Sequence, residues 1–343
     1  MGQYIVRRLL QAIPLLFIIS VILFALLLNM GDPIATMGGR QVTRAADRER
    51  LTRQLGLDQP FHMQYLYWLA GNDWTRIDMD GDGVAETPGI RKGVLRGDFG
   101  MSIVNRGKPA MQVIAERIPN TLLLMGVAQL VIIVFGFTIG VISALRQYSL
   151  LDHIITAFSF VGYSMPIFFV ALLSMYLFAV LFREWGLPYL PTVGMFEPAK
   201  GKTIGQVALH MVLPVMSLAV ISVAAYSRYI RSSMLEVLSQ DYVRTARSKG
   251  LREQIVLVRH ALKNASLPIV TIIGLDIPLL LGGAIVTERI FAWPGMGRLF
   301  LDHVERLDVP VVMGILMLIA VAVVVFQILT DIAYAWLDPR IRY

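Results

Sequence analysis

Six apolar runs punctuate the chain, at residues 9–29, 120–145, 154–182, 207–229, 267–286 and 311–336. Each approaches or exceeds the roughly 20 residues that a helix needs to cross the hydrocarbon core of a bilayer. The pattern predicts an all-α integral membrane protein with six transmembrane helices. The polar stretch 30–118 is too long for a simple turn and reads as an extracytoplasmic subdomain between helices 1 and 2, leaving residues 119–343 as a five-helix core. Arg7 and Arg8 precede the first run as they would in a signal peptide, yet the run is too long and no small-residue cleavage site follows, so it reads as a retained helix.

Proline falls inside several runs, at Pro14, Pro166, Pro214 and Pro278, with Gly162 one turn ahead of Pro166. Each frees a backbone carbonyl and permits a kink, in a transporter or in a static bundle alike. Gly282 and Gly283 permit either close helix approach or a wide place in a pathway. Asp276 lies well inside the fifth run. A carboxylate at that depth either lines a cavity or pairs with a polar neighbour on another helix, and both readings stand. Asp276, Pro278, Gly282, Gly283 and Pro166 are the pathway candidates.

Composition narrows the class. Hydrophobic residues make up 56% of the chain and charged residues 16%, too apolar for an ordinary soluble domain. Without cysteine, disulfides and thiolate metal sites are excluded. The net charge of +7 fits membrane orientation and anionic headgroups, and nucleic acid is not an expected partner. With the N-terminus inside, the cytoplasmic segments carry twelve Lys or Arg in 56 residues, against six in 48 for the two short outer loops. That bias predicts that both termini are cytoplasmic.

Within the 30–118 loop, Thr43 to Leu55 is helix-like and stops at Gly56, and a second helix starts at Pro60 and stops at Gly71. The aromatics of this second helix, Phe61, Tyr65 and Trp68, are spaced for packing. Next, Asp78, Asp80, Asp82 and Glu86 match the first half of a calcium-loop pattern, but Gly89 stands where its bidentate glutamate belongs. A polar Asp-Gly surface turn is the preferred reading, with a weak calcium site as the alternative. No zinc helix, nucleophile elbow or cysteine nucleophile occurs. Gly201-Lys202-Thr203 has Phe196 where a phosphate-binding loop needs its first glycine. The chain is expected to be non-catalytic, with no cofactor and no ATP site of its own.

Between the fourth and fifth runs lies a charged island. From Arg231 to Lys263 it holds seven Lys or Arg and three Asp or Glu. Leu238, Tyr242, Thr245, Ala246 and Lys249 recur at helical spacing over 235–249, flanked by Arg244, Arg247 and Arg252. Gly250 ends that helix, and a second follows from Arg252 to Ala265. The stripe is narrow and made of small side chains, suiting a groove on a protein better than lipid.

The segment Asp241-Tyr-Val-Arg-Thr-Ala-Arg-Ser-Lys-Gly-Leu251, with Arg259-His-Ala-Leu-Lys-Asn-Ala265 and Leu267-Pro268, resembles the coupling loop of ABC importer permeases, in its dipeptide and oligopeptide form. Leu55-Gly-Leu-Asp-Gln-Pro60 with Gln64-Tyr65, Gly97-Asp-Phe-Gly-Met-Ser102, Phe291-Ala-Trp-Pro-Gly-Met-Gly-Arg298-Leu299 and Asp338-Pro-Arg-Ile-Arg-Tyr343 resemble the same family in its order. The segment 72–96 is unusual for it. Where the general importer loop has Glu-Ala-Ala, this chain has Arg244-Thr245-Ala246, so a contact of that glutamate does not transfer to Arg244.

The resemblance implies a type I ABC importer permease in a bacterial or archaeal inner membrane, translocating di- or oligopeptides. It implies a homologous second permease subunit, two cytoplasmic ATPase subunits that bind ATP and Mg, and an extracytoplasmic peptide-binding protein. It implies that Asp241, Tyr242, Arg244, Thr245, Ala246, Arg247, Lys249 and Gly250 meet an ATPase. Trp293, Pro294, Gly295, Gly297 and Arg298 would form an outer docking surface or gate. Nickel chelates, glutathione and some sugars remain open as substrates. The alternative is an ion-coupled secondary transporter of small solutes, which would show two inverted halves; no such duplication is visible.

Overall fold

The computed structural model describes residues 2–29, 49, 52–53, 56–78, 84–105 and 107–337. Among them, five helices are long and apolar enough to cross a membrane, and a sixth candidate span is a helix pair, Glu253–Ala265 and Ile269–Ile277, bent by 49°. The protein is an all-helical membrane protein, with one two-stranded sheet among the described residues. Its chain forms two compact units, residues 1–119 with 299–322, and 120–298 with 323–343.

In the first unit, α1 (Gly2–Leu28) meets α2 (Phe61–Ala70), which starts after Pro60 and stops at Gly71, as the sequence predicts. The aromatics of α2 do pack. Phe24 lies 5.5 Å from Tyr65 and 5.5 Å from Trp68, ring centre to ring centre, and Tyr65 bonds Ser20 at 2.7 Å. The strands β1 (Arg76–Ile77) and β2 (Thr87–Pro88) pair antiparallel on either side of the Asp-Gly segment. Asp78 and Glu86 flank it, while Asp80 and Asp82 lie outside the described residues, as do most of Thr43 to Leu55 and the terminal 338–343 motif. Further along, Asp308 accepts hydrogen bonds from Ser102 Oγ (2.6 Å) and the Val104 N–H (3.0 Å) and meets His303 Nδ1 at 2.8 Å. The loop before α3 (Ala110–Ala115) is thereby fastened to the start of the last helix.

The long α4 (Ile118–Leu145) leads into the second unit. The third apolar run, expected as one helix, is two: α5 (Leu150–Ser164) and α6 (Ile167–Glu184). Met165 is extended, with φ −81° and ψ 132°, because the ring of Pro166 clashes with a helical predecessor. The fourth run becomes α7 (Ile204–Leu238), 35 residues long, whose N-cap Thr203 accepts from the Gln206 N–H. It continues well past residue 229, where the apolar pattern stops, because its C-terminal end packs on protein. Gly136 and Gly140 let α4 and α7 touch. A Cβ at 136 would lie 2.8 Å from that of Tyr226, and one at 140 would lie 2.7 Å from that of Ile230.

Next come α8 (Asp241–Ser248) and α9 (Glu253–Ala265), the latter π-helical from Val256 to Leu262. α10 (Leu267–Gly282) ends four residues earlier than the apolar run, because Gly283 turns the chain with φ 75°. α11 (Ile285–Ile290), α12 (Met296–Val304) and α13 (Val309–Leu337) complete the chain. Ile132, Tyr226, Ile230, Met234, Ala261 and Ile269 form the core that joins α4, α7, α9 and α10.

Candidate functional site

The sequence predicts one helix over 235–249, but the chain breaks it. Gln240 is extended, with φ −72° and ψ 146°, so α8 stands apart from α7. Its buried side chains are Val243 and Ala246, fully and almost fully covered against Val256 of α9 and the Val237–Leu238 end of α7. This corrects the expected stripe. Tyr242, Thr245 and Lys249 point outward with Asp241, Arg244 and Arg247, and of that stripe only Leu238, at the end of α7, and Ala246 face inward. With Val243 and Ala246 three residues apart, the small apolar pair shares a face and seats the helix, leaving the larger polar side chains outside. Gly250 takes φ 74° beyond the last turn, as predicted. Arg247 donates twice to Glu253, at 2.7 and 3.2 Å, and Asn264 Nδ2 donates to the Tyr242 hydroxyl at 3.1 Å. All three bonds tie α8 to α9.

At the root of this region, Arg231 of α7 grips both oxygens of Asp152 on α5, at 2.8 and 2.9 Å. Asp152 is 2% exposed and also accepts from Ser143 of α4 and from the Tyr148 N–H. Above all the Arg231 bond, helped by Ser143 and Tyr148, holds its carboxyl well below the ordinary range despite burial. One carboxylate thus joins three helices. In sequence it is a lone acid in a short polar loop, and nothing there announces its partner.

Asp276 accepts a hydrogen bond from the Tyr226 hydroxyl, which in turn accepts from Gln129 Nε2 at 3.0 Å. Asp276 thus has a polar neighbour on another helix. Pro278 lies in α10 with its side chain outside the described set, Gly282 ends that helix, Gly283 makes the turn, and Pro166 sits at the α5–α6 break.

The 283–298 region is built around Glu288, which is fully buried. Its carboxylate accepts from Thr121 Oγ1 at 3.1 Å and from the Arg298 N–H at 2.9 Å. Burial raises its pKa and these bonds oppose the rise. Thr121 Oγ1 also accepts from the Met296 N–H at 2.6 Å. Three glycines make the room. A Cβ at Gly283 would lie 2.6 Å from Oε1, one at Gly295 would lie 2.5 Å from Oε2, and one at Gly297 would lie 3.2 Å from Oε2. Trp293, also fully buried, donates its Nε1–H to the Asn120 carbonyl at 3.0 Å, and Asn120 Nδ2 donates to the Pro294 carbonyl at 2.9 Å. Arg298 donates to the Ala292 carbonyl. Trp293, Gly295 and Gly297 are therefore inside the unit, with Pro294 and Arg298 half-buried. Sequence reasoning missed Glu288, Thr121 and Asn120, though one acid among glycines at 283, 295 and 297 was a usable signal.

Residues 136–343 match the family described as binding-protein-dependent transport system inner membrane component, and residues 1–125 match the N-terminal part of such membrane components. The chain is 40% identical to the oligopeptide transport system permease protein AppB of Bacillus subtilis, over all of both chains. It is 36% identical to the dipeptide transport system permease protein DppB of Escherichia coli K12, over all of this chain and 99% of that one. It is also 36% identical to the glutathione transport system permease protein GsiC of Pectobacterium atrosepticum, over all of both chains.

Proposed function

The chain belongs to the family of binding-protein-dependent transport system inner membrane components, and from that premise we propose that it moves di- or oligopeptides across the inner membrane for an ATP-driven importer. A homologous permease pairs with it, two cytoplasmic ATPases supply bound ATP and Mg, and an extracytoplasmic binding protein delivers the peptide. Both termini are cytoplasmic in this reading. The observation that carries it is α8. It is a short helix separated from the spans, seated by Val243 and Ala246 and turning Tyr242, Arg244, Thr245, Arg247 and Lys249 outward. A docked ATPase that moves α8 moves α7 and α9 with it, and differential affinity for two states does the work. Asp276, Gly282, Gly283, Pro278 and Pro166 lie along the proposed pathway, and the Trp293–Arg298 segment acts as an outer gate through the Glu288 cage. Family membership weighs against the ion-coupled alternative.

The test uses the complex reconstituted with its ATPases and binding protein. Deleting 241–250, or substituting Val243→Asp to unseat α8, is expected to release the ATPases or to abolish peptide uptake while hydrolysis runs uncoupled. Uptake that persists without ATP, driven by an ion gradient, overturns the proposal.

A further inference from the structure

The first unit contains a cavity of about 90 Å³, lined among others by Phe24, Gln64, Trp68, Arg91, Asp98 and Phe99. By the same measure roughly 10–15 Å³ holds one water, so this space is several times larger than a single structural solvent molecule requires. Two of its polar atoms, Gln64 Oε1 and Trp68 Nε1, are buried with no hydrogen-bond partner among the described residues. Trp68 as a whole is 8% exposed. The indole N–H only donates and the amide oxygen only accepts, so neither can satisfy itself by switching role.

Two charged residues of opposite sign share the lining. Burial lowers the Arg91 pKa and the nearby charge of Asp98 opposes that shift. Asp98 accepts the N–H of Lys92 and of Gly100, each at 2.9 Å, one on each oxygen, which leaves lone pairs to spare. The cavity therefore offers donors (Trp68 and Arg91), acceptors (Gln64 and Asp98) and aromatic walls. A simple anion would leave the acceptors unanswered and a simple cation the donors.

We propose that this cavity binds a small zwitterion, its acid group facing Arg91 and the Trp68 N–H, its ammonium facing Asp98 and Gln64 Oε1, and its apolar part lying against Phe24 and Phe99. Two sources carry that chemistry: a free α-amino acid, and the headgroup of phosphatidylethanolamine reaching in beside the end of α1. The site is independent of transport, and its test reads binding alone, so its failure and that of the importer reading are distinguishable.

Full-length protein in nanodiscs of phosphatidylglycerol alone is dialysed against labelled L-valine, with propionate and propylamine as competitors. An amino-acid site gives saturable binding that neither competitor displaces, weakened at least tenfold by Arg91→Met and by Trp68→Phe. Trp68→Phe keeps the ring that packs on Phe24 and removes only the unpartnered N–H, and Arg91→Lys is expected to retain most of the binding. In the lipid arm, nanodiscs containing both lipids are analysed by native mass spectrometry. Phosphatidylethanolamine retained by the wild type and lost from both removal variants identifies the lipid as the source. If neither ligand distinguishes wild type from the two variants, the cavity holds solvent only and the proposal is overturned.

Discussion

Gly295→Ala adds one methyl group beside the Glu288 carboxylate, 2.5 Å from its Cδ and Oε2. Gly295 is not among the glycines with positive φ, so the penalty is steric and not a matter of backbone conformation. Overpacking of this kind costs about 1–3 kcal/mol. Glu288→Ala has a different cost, because Thr121 Oγ1 and the Arg298 N–H lose their acceptor, at about 1–3 kcal/mol for each buried group left unpaired. In the double variant the new methyl occupies space the carboxylate has vacated, so Gly295→Ala should cost nothing further. The coupling energy then equals the steric penalty, about 1–3 kcal/mol, within the range measured for residues in contact. Thermal unfolding in a fixed detergent reads this as a drop of several degrees for Gly295→Ala in the wild-type background and none in the Glu288→Ala background. Glu288→Gln, which keeps the bulk of the side chain, should preserve the penalty. Equal drops in all three backgrounds would refute the cage, since the glycines would then be serving something other than this carboxylate.

Removing one partner of the Arg231–Asp152 pair leaves the other poorly compensated. Asp152→Asn should destabilise by about 3 kcal/mol, and the double variant with Arg231→Met should recover part of it in the same unfolding assay. The Asp308 carboxyl is raised by burial, but His303, Ser102 and the Val104 and Ile103 N–H groups outweigh this and hold it below its ordinary value. A depressed acid stabilises the fold above its unfolded pKa, 3.8 for aspartate, and that contribution is lost as pH falls through the folded value. The unfolding temperature of the wild type should therefore fall as pH drops below about 4, and Asp308→Asn should flatten that fall.

The apolar runs revealed the spans because lipid demands an unbroken stretch of some 20 apolar residues, a requirement visible in composition alone. Their boundaries were less legible wherever protein replaces lipid as the surroundings. α7 runs to Leu238 among polar residues because Met234 and Ile230 pack against α4, α9 and α10. Periodicity over 235–249 suggested a continuous helix, since Ser239 and Gln240 are compatible with one, and the tertiary seat of Val243 and Ala246 decided otherwise. Asp276 was visible as an anomaly, but its partner Tyr226 lies fifty residues away in another span. Asp152 and Glu288 were not singled out because a charged residue between apolar runs is ordinarily solvated, and only the fold reveals that these two are buried.

The two glycine contacts of α4 touch α7 near its residue 228, at Tyr226 and Ile230. From there α7 extends about 15 Å to Leu238 and about 36 Å back to Ile204, at 1.5 Å per residue. A rod pinned between its ends is a lever. Under the proposed function, a push on the α8 end would swing the Ile204 end the opposite way, and rather further. In the proposed importer, opposed displacements at the two ends of one helix would let a gate shut one face of a membrane while opening the other, and the pair of missing side chains at Gly136 and Gly140 would supply the fulcrum.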